Sequence, residues 1–175
     1  TSRGAVVDNT SLLNEAIRKG FNLILDVWED EPLVNINLLG RIKVATAHIA
    51  GYSLEGKVNG TKMIYESLCR FCKTDPVWQL ELPPVERINL NLPDGKPNEE
   101  KLYKLFSSIY DFEKDDMSLR EISNYKLNDQ AGYFDLLRKN YPVRREFNNY
   151  TVHLSEKDNH LKPILQSFRF KVRMI

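Results

Sequence analysis

Residues 22–27 read N-L-I-L-D-V, and residues 43–46 read K-V-A-T. Each is a short apolar run bounded by turn or acidic residues, the pattern of a strand buried in a parallel sheet. A helical stretch precedes the first run. Asn9 and Thr10 are its expected caps, Leu12, Leu13, Ala16 and Ile17 follow at helical spacing, and Gly20 supplies the stop. Helix and strand patterns in alternation predict an α/β fold with a parallel sheet. Such sheets bind ligands outside the carboxyl ends of their strands. Asp26 stands at the end of the first strand and His48 just past the second, so both are placed for chemistry.

Working outward, Ser53 can cap a long helix that runs to about Cys72. Leu54, Val58, Thr61, Tyr65, Leu68 and Cys72 form one stripe along it. Gly56 and Gly60 fall on one face, where each weakens a helix by about 1 kcal/mol relative to Ala, so close packing on another backbone is expected there. The pattern breaks over residues 73–84, where K-T-D-P and a later P-P read as a linker. Beyond it, Ile88, Leu90 and Leu92 alternate with asparagines as a half-buried strand. Pro97-Asn98 opens a helix carrying Leu102, Leu105, Phe106, Ile109 and Tyr110. Ser118 and Glu121 have the spacing of a capping box for a short helix. Further elements are expected at 129–140 (helix, stopped by Tyr141-Pro142), 150–154 (strand) and 158–166 (short helix, weakened by Pro163). Phe168, Phe170 and Val172 alternate with basic residues in a closing strand. This trailing unit reads as α+β, with an antiparallel sheet covered by helices.

Bulk properties narrow the function classes. The chain has 175 residues, 42% of them hydrophobic, enough for a packed core. Lys plus Arg total 25 against 24 for Asp plus Glu, a formal charge of +1. That balance argues against a general nucleic-acid or membrane-surface binder. No apolar run approaches the roughly 20 residues of a bilayer span. Two cysteines are too few for a secreted disulfide framework, and a reducing, cytoplasmic setting is expected. The chain enters abruptly at T-S-R-G without an initiator Met, which leads us to expect a longer N-terminal part before it.

Taken singly, the polar residues of the first segment have ordinary explanations. A lone His is more often structural than catalytic. The acidic run D-V-W-E-D-E, residues 26–31, suits a solvated strand-end loop, and Arg3 an exposed turn. Together they form a pattern. S-R-G-A-V-V-D (2–8), L-D-V-W-E-D-E-P (25–32) and A-T-A-H-I-A-G-Y (45–52) resemble, in order and spacing, the C-terminal half of the nucleotide-binding domain of the D-isomer-specific 2-hydroxyacid dehydrogenases. The resemblance implies that Arg3, Glu31 and His48 are catalytic. It further implies that Asp26 and Gly51 contact an NAD cofactor, and that Tyr52, with Arg3, contacts the substrate. Members of that family commonly carry Pro immediately before the His, where this chain has Ala47.

The chemistry explains these residue types. Taking hydride from C2 of a hydroxy acid requires loss of the hydroxyl proton, a task suited to an imidazole. A neighbouring carboxylate orients the ring and favours the imidazolium. A guanidinium matches the substrate carboxylate with two parallel hydrogen bonds, which Lys does less well. The hydride chemistry itself belongs to the cofactor.

A narrower resemblance lies in H-I-A-G-Y-S-L-E-G-K-V-N-G-T (48–61) and L-R-K-N-Y-P-V-R-R-E-F (137–147), which are similar to segments of erythronate-4-phosphate dehydrogenases. It implies the NAD-dependent oxidation of 4-phospho-D-erythronate to (R)-3-hydroxy-2-oxo-4-phosphobutanoate in pyridoxal 5'-phosphate (vitamin B6) biosynthesis. It also implies this architecture: residues 1–72 as the C-terminal half of a Rossmann-type nucleotide-binding domain including a long crossing helix, 73–84 as linker, and 85–175 as a small α+β dimerisation domain that forms a homodimer. The substrate phosphate needs basic partners. Arg138, Lys139, Arg144 and Arg145 cluster in the trailing domain, either as a solvated basic face or with one arginine reaching a neighbouring subunit's phosphate. Cys69-Arg70-Phe71-Cys72 has C-x-x-C spacing but no second ligand pair, so no metal site is expected. His153 and His160 read as structural. No G-x-G-x-x-G occurs in the chain; in this family it lies upstream, so the 175 residues alone are expected to be inactive. Competing readings are a dehydrogenase for another D-2-hydroxy acid, and a non-catalytic dimerisation or cofactor-sensing module.

Overall fold

The structure, a computed structural model, describes residues 3–79, 81–86 and 88–175. In chain order its elements are α1 (Asn9–Lys19), β1 (Ile24–Leu25), α2 (Ile36–Leu39), β2 (Val44–Ala45), α3 (Leu54–Cys72), β3 (Asn89–Asn91), α4 (Asn98–Ser107), α5 (Phe112–Arg120), α6 (Leu127–Lys139), β4 (Thr151–Leu154), α7 (Lys162–Ser167) and β5 (Lys171–Met174). The chain divides into two compact units. One runs up to Gly51 and adds Asp111–Pro142; the other comprises Tyr52–Tyr110 and Val143–Ile175. These units cut across the segments expected from sequence, because α5 and α6 share a core with β1 and β2.

In the first unit β1 and β2 pair in parallel, with Ile24 opposite Val44 and Leu25 opposite Ala45, as the two apolar runs predict. The core joins Trp28, Leu38, Leu39 and Ala45 to Leu119 and Ile122, with Phe134 from α6. Polar bonds fix α5 as well. Asp116 accepts from the Ala45 N–H at 2.7 Å. Arg120 donates to the carbonyls of Leu39 and Ile42 and to Asp116. Asp116 thus satisfies a backbone group of β2 that no third strand pairs among the described residues, and Arg120 ties α5 to the end of α2 and the turn before β2. Gly20 ends α1 in the left-handed conformation at φ 68°, the geometry only glycine enters freely. The cap at its other end differs from expectation. Asp8 is the N-cap, accepting from Ser11 N–H at 2.8 Å, while Asn9 turns inward and is buried.

In the second unit β3, β4 and β5 form one sheet with β4 central, and all pairings are parallel. This corrects the expected antiparallel sheet. Alternation of apolar and polar residues reports which face is buried, not strand direction, and the connections are long enough for crossovers. Between β4 and β5 run a 3₁₀ turn (Glu156–Leu161) and α7. Pro163 lies in the first turn of α7, where a missing N–H is tolerated. The closing strand begins at Lys171, because Arg169 turns the chain at φ 70°. The expected capping box also fails: Ser118 is inside α5, and a 3₁₀ turn (Glu121–Asn124) follows directly. Leu90, Leu105, Val152, Leu154, Leu165 and Phe170 make the core, with Phe147 stacked on Phe170 at 4.9 Å. Lys101 and Asp158 form a buried ion pair at 2.5 Å.

Ser53 caps α3, as expected, by accepting from Gly56 N–H at 3.0 Å. The stripe is only partly covered: Leu68 is 58% exposed, while Glu55 and Cys69 are buried. A Cβ placed at Gly60 would meet nothing within 4 Å, so the expected close backbone packing is not made there among the described residues. Cys69 and Cys72 are free thiols. No helix among the described residues is long and apolar enough to cross a membrane.

Candidate active site

The first unit brings Glu31 and His48 together. His48 Nδ1 lies 2.5 Å from Glu31 Oε1, and both side chains are partly buried. The carboxylate is held from its other side, where Oε2 accepts from the Trp28 N–H at 3.3 Å. Trp28 is fully buried, and its indole N–H donates to the Thr46 carbonyl at 3.1 Å. One core residue therefore ties the acidic loop to the strand that leads to His48. His48 itself has φ 54°, a left-handed conformation uncommon for a residue with a side chain and often found at functional sites. Ala47, in place of the family's Pro, is buried beside it.

Asp26 builds the turn that makes this conformation possible. Its Oδ1 accepts from Thr46 Oγ1 at 2.6 Å and from Ile49 N–H at 2.8 Å; Oδ2 accepts from Ala50 N–H at 3.0 Å. The carboxylate at the end of β1 thus gathers three donors from residues 46–50. Gly51 follows, exposed, with nothing within 4 Å of where a Cβ would sit.

Arg3 precedes a 3₁₀ turn (Gly4–Val6), with extended backbone at φ −84° and ψ 150°. Gly4 explains the turn's position. A Cβ there would stand 1.6 Å from the Trp28 carbonyl oxygen, so only glycine lets the turn lie against the acidic loop. Asn9 adds a second tie, accepting from Glu29 N–H while its own N–H donates to Glu29 Oε2 at 2.8 Å. The turn that begins after Arg3 and the Glu31 loop are therefore neighbours by backbone packing. Tyr52 belongs to the second unit, where the Lys57 ammonium lies 4.2 Å from its ring centroid.

Sequence reasoning missed Thr46, Trp28 and Gly4 as supports. Their one visible signal was a polar Thr inside an apolar strand. The basic cluster is resolved into separate roles. Arg145 donates to Glu55 at 2.6 Å, to the Pro83 carbonyl at 2.5 Å and to Asn149 at 3.4 Å, and Arg144 lies over the Tyr110 ring at 4.4 Å. Arg145 is thus spent on structure. His153 and His160 meet Asn89 and Asn98 respectively, in keeping with structural roles. A cleft of about 420 Å³ is lined by Ala47 and Ile49 together with residues of α5 and α6, but not by His48, Glu31 or Asp26.

The chain is similar to known proteins over most of its length. Residues 80–166 match a family described as a domain of unknown function, DUF3410. The chain is 39% identical over 99% of its length to an erythronate-4-phosphate dehydrogenase of Yersinia enterocolitica, covering 45% of that protein. It is 44% identical to enzymes of the same name from Sodalis glossinidius and Cellvibrio japonicus, over 90% and 87% of this chain and 40% and 42% of theirs. The chain spans less than half the length of these relatives. Over nearly its whole length it is a relative of the erythronate-4-phosphate dehydrogenases, matching a C-terminal portion of them.

Proposed function

We propose that this chain carries the proton-accepting and carboxylate-binding residues of an NAD-dependent dehydrogenase. The reaction is oxidation of 4-phospho-D-erythronate to (R)-3-hydroxy-2-oxo-4-phosphobutanoate, in pyridoxal 5'-phosphate biosynthesis. The observation that carries the reading is the His48–Glu31 hydrogen bond. With Nδ1–H donating to the carboxylate, Nε2 keeps its lone pair and accepts the C2 hydroxyl proton as the carbonyl forms. Glu31 then stabilises the imidazolium. Arg3 binds the substrate carboxylate and polarises the oxygen at C2, and Tyr52 contacts the rest of the substrate.

The cofactor reading is supported by the open space at Gly51 and by a carboxylate, Asp26, at the carboxyl end of a parallel strand, where nucleotides bind in such sheets. When bound, the nicotinamide supplies the hydride acceptor. Asp26 shapes the 46–50 turn, and its negative charge would help hold the cationic ring of the oxidised cofactor. Residues 1–72 are proposed as the C-terminal half of a Rossmann-type domain, and 85–175 as a dimerisation domain of a homodimer.

The test joins the upstream portion of the Yersinia enterocolitica relative to this chain and follows NADH formation. Turnover is expected with 4-phosphoerythronate and not with glycerate or 3-phosphoglycerate, and the 175-residue chain alone is expected to be inactive. Turnover of glycerate or 3-phosphoglycerate instead would overturn the substrate assignment. Cofactor binding without turnover of any acid would favour a sensing module.

A further inference from the structure

We propose that Thr46 is the positioning residue of the His48 base, closing a ring of hydrogen bonds that fixes both the backbone and the imidazole of that residue. This rests on the reading above, which gives His48 the substrate proton, and deepens it by naming what holds the base in its working form.

The ring lies wholly within the first unit. His48 Nδ1 meets Glu31 Oε1 at 2.5 Å. Glu31 Oε2 accepts from the Trp28 N–H at 3.3 Å. The Trp28 indole N–H donates to the Thr46 carbonyl at 3.1 Å, and the Thr46 hydroxyl donates to Asp26 Oδ1 at 2.6 Å. Asp26 accepts in turn from Ile49 N–H at 2.8 Å and Ala50 N–H at 3.0 Å, and Ile49 directly follows His48. The path leaves His48 by its side chain and returns to it by its backbone.

Thr46 is where the two halves of the ring meet. Its carbonyl serves the half that orients the imidazole, and its hydroxyl serves the half that shapes the turn. Its own N–H donates to the Leu25 carbonyl at 2.9 Å, so β1 anchors it. The residue type is otherwise unexpected. Thr46 is only 7% exposed, at the end of an apolar strand, where Val has nearly the same shape and buries no hydroxyl. The bond to a carboxylate compensates the burial. It also leaves both Asp26 oxygens taken by donors from residues 46–50, so the carboxylate stays with the turn. His48 keeps its φ of 54°, a conformation that persists when the surroundings over-determine it.

The consequence is chemical. A free neutral imidazole carries its proton mainly on the nitrogen corresponding to Nε2, where it would block acceptance of the substrate proton. Holding Nδ1 against a carboxylate selects the Nδ1–H form and leaves the Nε2 lone pair open. Loosening the turn at Thr46 lets the ring leave Glu31 and lose that selection.

The test reads the His48 ring nitrogens by ¹⁵N NMR in the 175-residue chain above neutral pH, with neither substrate nor cofactor. The unaltered chain should hold mainly the Nδ1–H form. Thr46→Val, and independently Asp26→Asn, should move His48 toward the Nε2–H form, whereas Thr46→Ser, which keeps the hydroxyl, should not. In the joined chain Thr46→Val should lower kcat about tenfold, with KM for 4-phosphoerythronate and for NAD within about twofold, and Thr46→Ser should restore kcat. An unaltered chain already in the Nε2–H form would overturn the assignment. So would an unchanged tautomer in both Thr46→Val and Asp26→Asn, or a Thr46→Ser chain as slow as Thr46→Val. The tautomer is read without turnover, so an unchanged one leaves the dehydrogenase reading standing; that reading is judged by NADH formation in the joined chain.

Discussion

Each unit is organised around one carboxylate that gathers donors from distant residues, and the two are finished differently. In the first unit Asp26 accepts from Thr46, Ile49 and Ala50, and the turn it shapes ends at an exposed glycine and a left-handed His48. In the second, Glu55 accepts from Arg145, from the Glu146 N–H and from Asn149. The Ser53 cap also donates to Glu146. Glu55 is closed off by a guanidinium in a nearly buried pair. Lys101 and Asp158 repeat that closed arrangement. The same hydrogen-bonding device therefore serves two ends: one carboxylate shapes a strained, accessible loop, the other locks helix to chain. Local strain beside solvent suits chemistry, and saturated buried pairs suit permanence.

The closed pairs carry the largest expected effect. Lys101→Ala leaves Asp158 buried without its cation and should destabilise the second unit by about 3 kcal/mol, measured by urea unfolding. The double change Lys101→Met with Asp158→Leu should recover most of that loss. A smaller effect is expected in the first unit from Gly4→Ala. The added methyl meets the Trp28 carbonyl, and displacing the turn should cost about 2 kcal/mol and shift the Trp28 and Glu29 amide resonances.

Glu55 sharpens the contrast through pH. Burial raises its carboxyl pKa, but the bonds from Arg145, its own backbone, Glu146 and Asn149 outweigh burial and hold it below its ordinary value of 4.5. A carboxylate held below its unfolded value adds stability above that value and loses it as pH falls through the folded one. Acid unfolding of the second unit should therefore steepen below about pH 4.5. Glu55→Gln should flatten that limb and lower stability at neutral pH by about 1–2 kcal/mol. An unchanged acid limb would mean that the closed network contributes nothing through this group.

Much of this arrangement was legible in sequence, for identifiable reasons. Gly20 as a left-handed stop and Ser53 as a cap follow from local chemistry, and the parallel pairing of β1 with β2 follows from the alternation of apolar runs with helices. The meeting of Glu31 with His48 was carried by motif order rather than by periodicity. What escaped the sequence was long-range or degenerate. Asp8, Asn9 and Thr10 are all capping residues, and only packing decides that Asp8 caps while Asn9 is buried. The bond from Ala45 to Asp116 spans 71 residues with no local signal, so the place of α5 in the first unit could not be read. Glu55 looks like any acidic residue of a helix's first turn, and nothing nearby announces that Arg145 will bury it. Strand direction in the trailing sheet was invisible to alternation for the same reason: direction is set by the connections.

The central claim is that His48, oriented by Glu31, removes the substrate hydroxyl proton. The most direct measurement is the pH dependence of kcat/KM for 4-phosphoerythronate in the joined chain, compared with His48→Gln and Glu31→Gln. NADH formation should fall by about 10²–10⁴ in His48→Gln, and the rise in rate with pH should vanish with it. Glu31→Gln should keep that rise but at a lower rate. A His48→Gln chain that retains both the rate and its pH dependence would contradict the account.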